Sequence, residues 1–534
     1  MERGFATVCT LSQKRHMGCR LEYWTLGRVE LIRTRINLEL QEPCAVKVAC
    51  TVRKGESGGN PANLLGIDVL HYFIIGMIAD ISNLGPIRKA VVDLQKPFIL
   101  FCGPNSTGKT YMSYLLYAIN ESSDYVDSKG LDKIAKHIST EQRFTLRREM
   151  IDEYIGDLAK AMKSKLGSIF GIGDAMVDKL FAQFQLSLSL SDNEFEKIIS
   201  QPCRLVSGNN EAEVALDKEA NSDIIMYQVN MKAQNVVRDS LMSLRFMLNH
   251  YFRLLCFGNI GGVRMLTVER NSIYTFKTEL SLSRNELIDR IQQKSGNSEQ
   301  DLFDMVNSSS RRYPLAVRSS LRIANDLENV QKFNGHYYEF AEQIEKGILH
   351  GEVKITRNGD VEFVPENANR SRHLPIHMAS SIVKTMSSLV IYLKHIARKG
   401  DLLIIDEPEM NFHPDVQISL MRIFSMLSKL GLRLIISTHS DYMVREVNNL
   451  IMAGTLYSND AQLIKDMGYS ENMLLKKEDV VVKYFNYTRS KRFLDVVDVK
   501  VEDDGFAVES IDNTINGQNK ITETLYDRLQ EEYV

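Results

Sequence analysis

Gly103-Pro104-Asn105-Ser106-Thr107-Gly108-Lys109-Thr110 stands between the apolar run Phe98 to Cys102 and a segment in which Met112, Leu115, Leu116 and Ile119 recur at spacings of three and four. The first run is short and bounded by Pro97 and Gly103, which predicts a buried central strand. The second predicts a helix with one apolar face, starting near Gly108. The octapeptide between them fits G-x-x-x-x-G-K-[ST] in the context its mechanism requires. Its glycines let the backbone curl so that N–H groups face phosphates at the positive end of the helix. Lys109 would neutralise the β- and γ-phosphates of ATP, and the Thr110 hydroxyl would ligate Mg²⁺. All eight residues, from Gly103 to Thr110, are therefore candidate nucleotide contacts.

Such a loop alone fits kinases, GTPases and transporters equally. The discriminating half lies roughly 300 residues further on, where Leu402-Leu403-Ile404-Ile405-Asp406-Glu407-Pro408-Glu409 reads as an apolar strand ending in two acids. Asp406 is the expected second Mg²⁺ residue, and Glu407 the expected general base for an attacking water. About 30 residues beyond, Leu434-Ile435-Ile436-Ser437-Thr438-His439-Ser440 is another buried strand, whose terminal His439 can reach a γ-phosphate or that water. Lys109, Glu407 and His439 are the candidate catalytic side chains.

In this order the motifs resemble the Walker A, Walker B and H-loop of ABC-type ATPases of the SMC, RecF and OLD (overcoming lysogenisation defect) group, with Asn411-Phe412-His413-Pro414-Asp415 as the D-loop. Thr267-Val268-Glu269-Arg270-Asn271-Ser272-Ile273 resembles a strand-end segment of OLD-like ATPases. Leu374 to Lys384 stands where the ABC signature belongs, although Ser380-Ser381 is followed by Ile382 instead of glycine. The resemblance implies an α/β P-loop head with a central mostly parallel sheet, an antiparallel β lobe and a large, mainly helical insertion at about 125–260. It also implies a homodimer or higher oligomer closed by ATP, in which Ser380 and Ser381 touch the nucleotide of the partner subunit. Some 85 residues follow Asn449, too few for an appended TOPRIM nuclease, and Glu502, Asp503 and Asp504 read as a solvated turn. The resemblance thus extends to stand-alone ATPases of bacterial anti-phage systems that control a separate effector, a nuclease or toxin. A RecF-like clamp on duplex DNA in repair and a nucleotide-gated scaffold with little turnover remain the alternatives.

Around this head, residues 1–75 form an N-terminal extension of different character. Four cysteines (Cys9, Cys19, Cys44, Cys50), Trp24 and the linker-like Gly55 to Pro61 fall there, consistent with an accessory region or with a chain that begins at Met77. The span 130–200 reads as mostly helical, Arg204 to Lys232 as one or two strands around Gly208-Asn209-Asn210, and Asp239 to Phe257 as an interior helix. Val353 to Val364 reads as a hairpin about Asn358-Gly359, and 450–534 as an α/β tail. The remaining cysteines, Cys102, Cys203 and Cys256, show no C-x-x-C spacing, as expected of reduced thiols in a cytoplasmic protein. Leu64 to Ile81 is broken by Asp68, His71 and Asp80 and is too short to cross a bilayer, so no membrane partner is expected. With 44% hydrophobic and 25% charged residues the chain has the makeup of a folded globular protein, and a net charge of −3 provides no global attraction to DNA.

Overall fold

The computed structural model describes residues 76–121, 126, 128–208, 212–231, 241–257, 262–277, 313–366, 373–487 and 494–532. The expectations for 1–75 and for the Asn209-Asn210 turn lie outside the described residues. The chain divides into two compact units, the larger of which takes in 76–128, 151–198 and everything from 253 onward.

The larger unit is built on one nine-stranded sheet. Its strands are β1 (Met77–Leu84), β2 (Ile87–Asp93), β3 (Phe98–Cys102), β4 (Gln185–Leu190), β5 (Val263–Leu266), β6 (Leu402–Asp406), β7 (Arg433–Thr438), β8 (Val480–Tyr487) and β9 (Leu494–Val499). They lie in the order β4-β1-β2-β9-β8-β3-β7-β6-β5. From β8 to β5 every neighbouring pair is parallel. Parallel strands covered on both faces need apolar residues at successive positions, and β3, β6 and β7 are buried at every residue. β1 pairs antiparallel with both β2 and β4. The expected antiparallel lobe is therefore present, as a continuation of the central sheet.

β4 lies within the span expected to be mostly helical. Gln185-Leu186-Ser187-Leu188-Ser189-Leu190 alternates apolar and polar residues with a period of two, the pattern of a strand with one covered face. Leu188 and Leu190 are buried where it pairs with β1. The hairpin expected at 353–364 is present as Gly351–Ile355 paired with Val361–Pro365, and Gly359 turns it at a φ of +79°.

Helices α1 (Lys109–Glu121), α2 (Ser381–Ile391), α3 (Pro414–Lys429), α4 (Asp441–Leu456) and α5 (Glu509–Glu532) follow the motifs. α3 begins with Pro414 in its first turn, where the missing N–H costs nothing. α4 is capped by the Ser440 hydroxyl, which accepts from the Met443 N–H. Leu100, Ile405, Leu434 and Ile436 of the sheet share a core with Val390 of α2, Phe424 and Leu427 of α3 and Val447 and Leu450 of α4. In the tail, Glu502 pairs with Lys500, and Asp503 with Lys477 at 2.9 Å, on a tight exposed turn closed by Glu502 and Gly505.

The smaller unit includes 129–150 and 199–252. Arg143–Thr145, Ile224–Met231, Ala212–Lys218 and Cys203–Gly208 form a four-stranded antiparallel sheet in that order. The insertion is thus not helical throughout: three strands occupy the segment expected to hold one or two, and Arg143–Thr145 adds a fourth. Lys218 is fully buried there with no carboxylate paired to it among the described residues, its ammonium enclosed by the carbonyls of Ile199, Gln201, Glu219 and Ser222. Charge-assisted bonds to carbonyl dipoles compensate a buried cation in the absence of a counter-ion.

At the start of β6, Asp401 is buried beside Arg433 and accepts from the Tyr392 hydroxyl at 3.2 Å and the Arg398 N–H at 2.9 Å. Burial outweighs these partners and pushes its carboxyl up to about 7. Because the folded value lies above that of the unfolded chain, about 3.9, the fold favours the neutral acid. Its contribution is complete below about pH 4 and is lost as pH rises through about 7. Urea unfolding of the parent should give a free energy that falls between pH 5 and pH 8, and Asp401→Asn should flatten that slope. An unchanged slope in the variant would show that another group is responsible.

Candidate nucleotide site

β3 runs into the glycine-rich loop, and α1 starts at Lys109. Three residues of the loop adopt positive φ: Gly103 at +140°, Ser106 at +63° and Gly108 at +88°. Such a succession turns backbone N–H groups toward one side and makes an anion-binding concavity. Two glycines are required by contact as well as by torsion. A Cβ on Gly103 would strike the carbonyl oxygen of Phe485 on β8, and one on Gly108 would lie 3.0 Å from the Ile87 side chain. Lys109 is buried, and its ammonium donates to the carbonyls of Gly103 and Pro104, both at 2.8 Å. The Thr107 hydroxyl also donates to Pro104 O, at 2.7 Å, and the Tyr487 hydroxyl to Ser106 O at 2.9 Å. Asn105 and Ser106 are exposed at the crest of the loop.

The parallel register carries the other motif to the same edge. Thr438 is the partner of Cys102, and Asp406 the partner of Ser437. The strand ends of β3, β7 and β6 are thereby level, which is where parallel α/β sheets hold their ligands. Asp406 is 1% exposed. One of its oxygens accepts from the Thr110 hydroxyl at 2.8 Å and the other from the Ser437 hydroxyl. Burial raises the Asp406 carboxyl above its usual range; the Ser437 and Thr110 hydroxyls oppose that shift, and the neighbouring Glu407 adds to it. Burial likewise lowers Lys109, against the attraction of Glu407 and Asp406.

Glu407 has a φ of +48°, left-handed for a residue with a side chain. Its N–H donates to Ser437 O at 3.0 Å, and its carboxylate is partly exposed. His439, just past β7, has its Nδ1 3.8 Å from Glu407 Oε1 and 3.4 Å from Glu409 Oε1. The half-exposed imidazole and the Glu407 carboxylate thus border the same opening. A carboxylate and an imidazole at the edge of a glycine-rich loop, above a buried aspartate and hydroxyl, form a group that can orient and deprotonate a water.

Two residues without an assigned role in the sequence reading hold this arrangement together. Glu409 is nearly buried, and its Oε1 accepts from the Thr438 hydroxyl at 2.7 Å and from the His439 N–H at 2.9 Å. Its place directly after Asp406-Glu407-Pro408 was the available signal. Glu269-Arg270 reads from sequence as a charged pair at a strand end, yet the pair divides: Glu269 is exposed, and Arg270 is 3% exposed beneath the Asp406–Glu407 backbone. Tyr487 gave no signal, since only the pairing of β8 with β3 brings it to the loop. Ser380 occupies the N-cap of α2 without a side-chain cap bond, and both Ser380 and Ser381 are exposed. No hydrogen bond among the described residues joins either serine to the loop, Asp406 or Glu407.

Residues 78–444 match the family model of the AAA ATPase domain. No curated protein matches the chain. Among solved structures, the chain is similar to an Smc head bound to the C-winged helix domain of ScpA, at 12% identity and a TM-score of 0.33, covering 80% of this chain and 98% of that one. It is also similar to an Smc head domain with an extended coiled coil bound to the C-terminal domain of ScpA, derived from Pyrococcus furiosus, at 10% identity and a TM-score of 0.31, covering 84% of this chain and all of that one.

Glu409→Ala would leave the Thr438 hydroxyl proton only the Met443 sulfur, at 3.7 Å, and the His439 N–H without its acceptor. At about 1–3 kcal/mol for each unpaired group, stability should fall by on the order of 3 kcal/mol. Glu409→Gln keeps an acceptor oxygen and should lose less. Urea unfolding of both variants at neutral pH measures this, and an alanine variant as stable as the parent would refute the clamp.

Proposed function

The chain belongs to the AAA ATPase domain family, and from that membership we propose that it binds Mg-ATP on Gly103 to Thr110 and hydrolyses it with Glu407 as general base. The observation that carries this reading is the 2.8 Å bond from the Thr110 hydroxyl to Asp406, beside a Glu407 whose carboxylate reaches the opening. A buried carboxylate and a hydroxyl that meet are the hard oxygen donors Mg²⁺ prefers, and the ion usually takes only one or two such protein groups together with substrate phosphates. When bound, Mg²⁺ would supply positive charge against the phosphate oxygens. Lys109 adds a second cation on the same loop, Glu407 takes the proton of the water, and His439, steered by Glu409, faces that water and the γ-phosphate.

In the finer reading, ATP closes two heads of the ABC/OLD-like kind, and the cycle of closure and opening controls a separate effector protein in the bacterial cytoplasm, in anti-phage defence. The exposed N-terminus of α2 supports this. Neither the Ser380 nor the Ser381 hydroxyl is hydrogen-bonded among the described residues, and a helix N-terminus favours an anion. Their partner would be the nucleotide held by the second copy.

Lys109→Ala should weaken ATP binding by roughly 100-fold or more, the loss of the charge-assisted contacts Lys109 would make to the β- and γ-phosphates. Glu407→Gln should still bind ATP while turnover drops by roughly 10²–10⁴, and should accumulate a two-copy species by light scattering when ATP is added. Adding Ser380→Glu to Glu407→Gln should prevent that pairing without loss of ATP binding. A Glu407→Gln protein that hydrolyses ATP at the parental rate would remove the base assignment, and turnover driven by duplex DNA with steep salt dependence would replace the effector role with a DNA clamp.

A further inference from the structure

We propose that Arg270 is the positioning residue for Glu407: its guanidinium fixes the two peptide planes on either side of Glu407 and so aims the carboxylate at the water. The proposal rests on the reading of Glu407 as the base. Arg270 lies just beyond β5, at the start of the helical run 270–277. Its Nη1 donates to Asp406 O at 2.6 Å and to Thr267 O at 3.0 Å, and its Nη2 donates to Glu407 O at 2.6 Å. Every bond from this buried guanidinium goes to a backbone carbonyl. Burial pulls its pKa to about 10, against the attraction of Asp406, Glu409 and Glu407, so it stays charged at neutral pH.

The carbonyl of Asp406 belongs to the peptide plane before Glu407, and the carbonyl of Glu407 to the plane after it. Because peptide units are planar, holding both planes sets φ and ψ of Glu407. The first plane has a second anchor, since the Glu407 N–H donates to Ser437 O. The nitrogen of the second plane is that of Pro408, which has no N–H to donate. The second plane can be bonded only through its carbonyl, which accepts from the Met410 N–H at 3.2 Å as well as from Arg270 at 2.6 Å. A left-handed glutamate is uncommon and persists where its surroundings over-determine it. The planar fork of an arginine spans two adjacent carbonyls in a way a lysine ammonium does not.

The test uses the full chain as parent, Arg270→Gln, Arg270→Lys, Glu407→Gln and the Arg270→Gln/Glu407→Gln double variant. Thermal melts, binding of a fluorescent ATP analogue, and kcat and KM are measured for each. If Arg270 aims Glu407, both single Arg270 variants bind nucleotide within about 3-fold of the parent and lose about 10- to 100-fold in kcat, with KM little changed. In the Glu407→Gln background the arginine substitution removes no more than about 2-fold further, because both act through one group. A folded Arg270→Gln with parental kcat overturns the proposal. So does full recovery in Arg270→Lys, which would show that charge suffices without the fork, and so do losses that multiply in the double variant. Failure of both single variants to fold overturns it too, by making the guanidinium a support of the sheet. A parent that binds ATP and shows no turnover removes the base assignment itself, which separates that failure from one confined to Arg270.

Discussion

Asp406 shares its two carboxylate oxygens between hydroxyls on two different elements, Thr110 at the start of α1 and Ser437 at the end of β7. The contact joins residues almost 300 positions apart, and it exists because β6, β7 and β3 are parallel neighbours whose ends coincide. A one-residue slip of β6 against β7 would turn Asp406 to the other face of the sheet and leave a carboxylate in the apolar core. The near-continuous burial of β3, β6 and β7 is what forbids that slip, since each strand is tied down on both faces. The geometry of the site is thus a property of the sheet register.

Local backbone rules are broken in several places along this edge, each with a neighbour that compensates. Gly103 and Gly108 adopt torsions open to glycine, and β8 and Ile87 leave no room for a side chain there. Glu407 takes a left-handed conformation despite its side chain, with Ser437 holding its N–H and Arg270 its carbonyl. Three acids, Asp406, Glu407 and Glu409, crowd the strand end, and Lys109 and Arg270 face them from opposite sequence neighbourhoods. Locally unfavourable features of this kind concentrate where a protein does chemistry.

The tail takes part in the same edge. β8 pairs with β3, so the Phe485 carbonyl packs against Gly103 and the Tyr487 hydroxyl reaches the loop at Ser106. The sheet thus shapes the glycine-rich loop from a segment more than 370 residues downstream.

The sequence by itself determined the two buried strands that carry the motifs, the strand–loop–helix setting of Gly103 to Thr110, the acidic strand end and the strand before His439. Each is encoded by short-range pattern: uninterrupted apolar runs, glycines at fixed offsets and helical spacing in the residues that follow. It also carried the hairpin at Gly359, whose turn chemistry is local. At Gln185 to Leu190 the local pattern has a period of two inside a span otherwise rich in helix, and it folds as a strand against β1. In the smaller unit Arg143–Thr145 is three residues long, too short to show any period. Only the tertiary structure decided that Arg270 is buried beneath Glu407 while Glu269 is exposed, that Glu409 clamps the His439 strand end, and that Tyr487 reaches the loop. These depend on which strands become neighbours, and the pairing of segments hundreds of residues apart leaves no mark in the local pattern of either one.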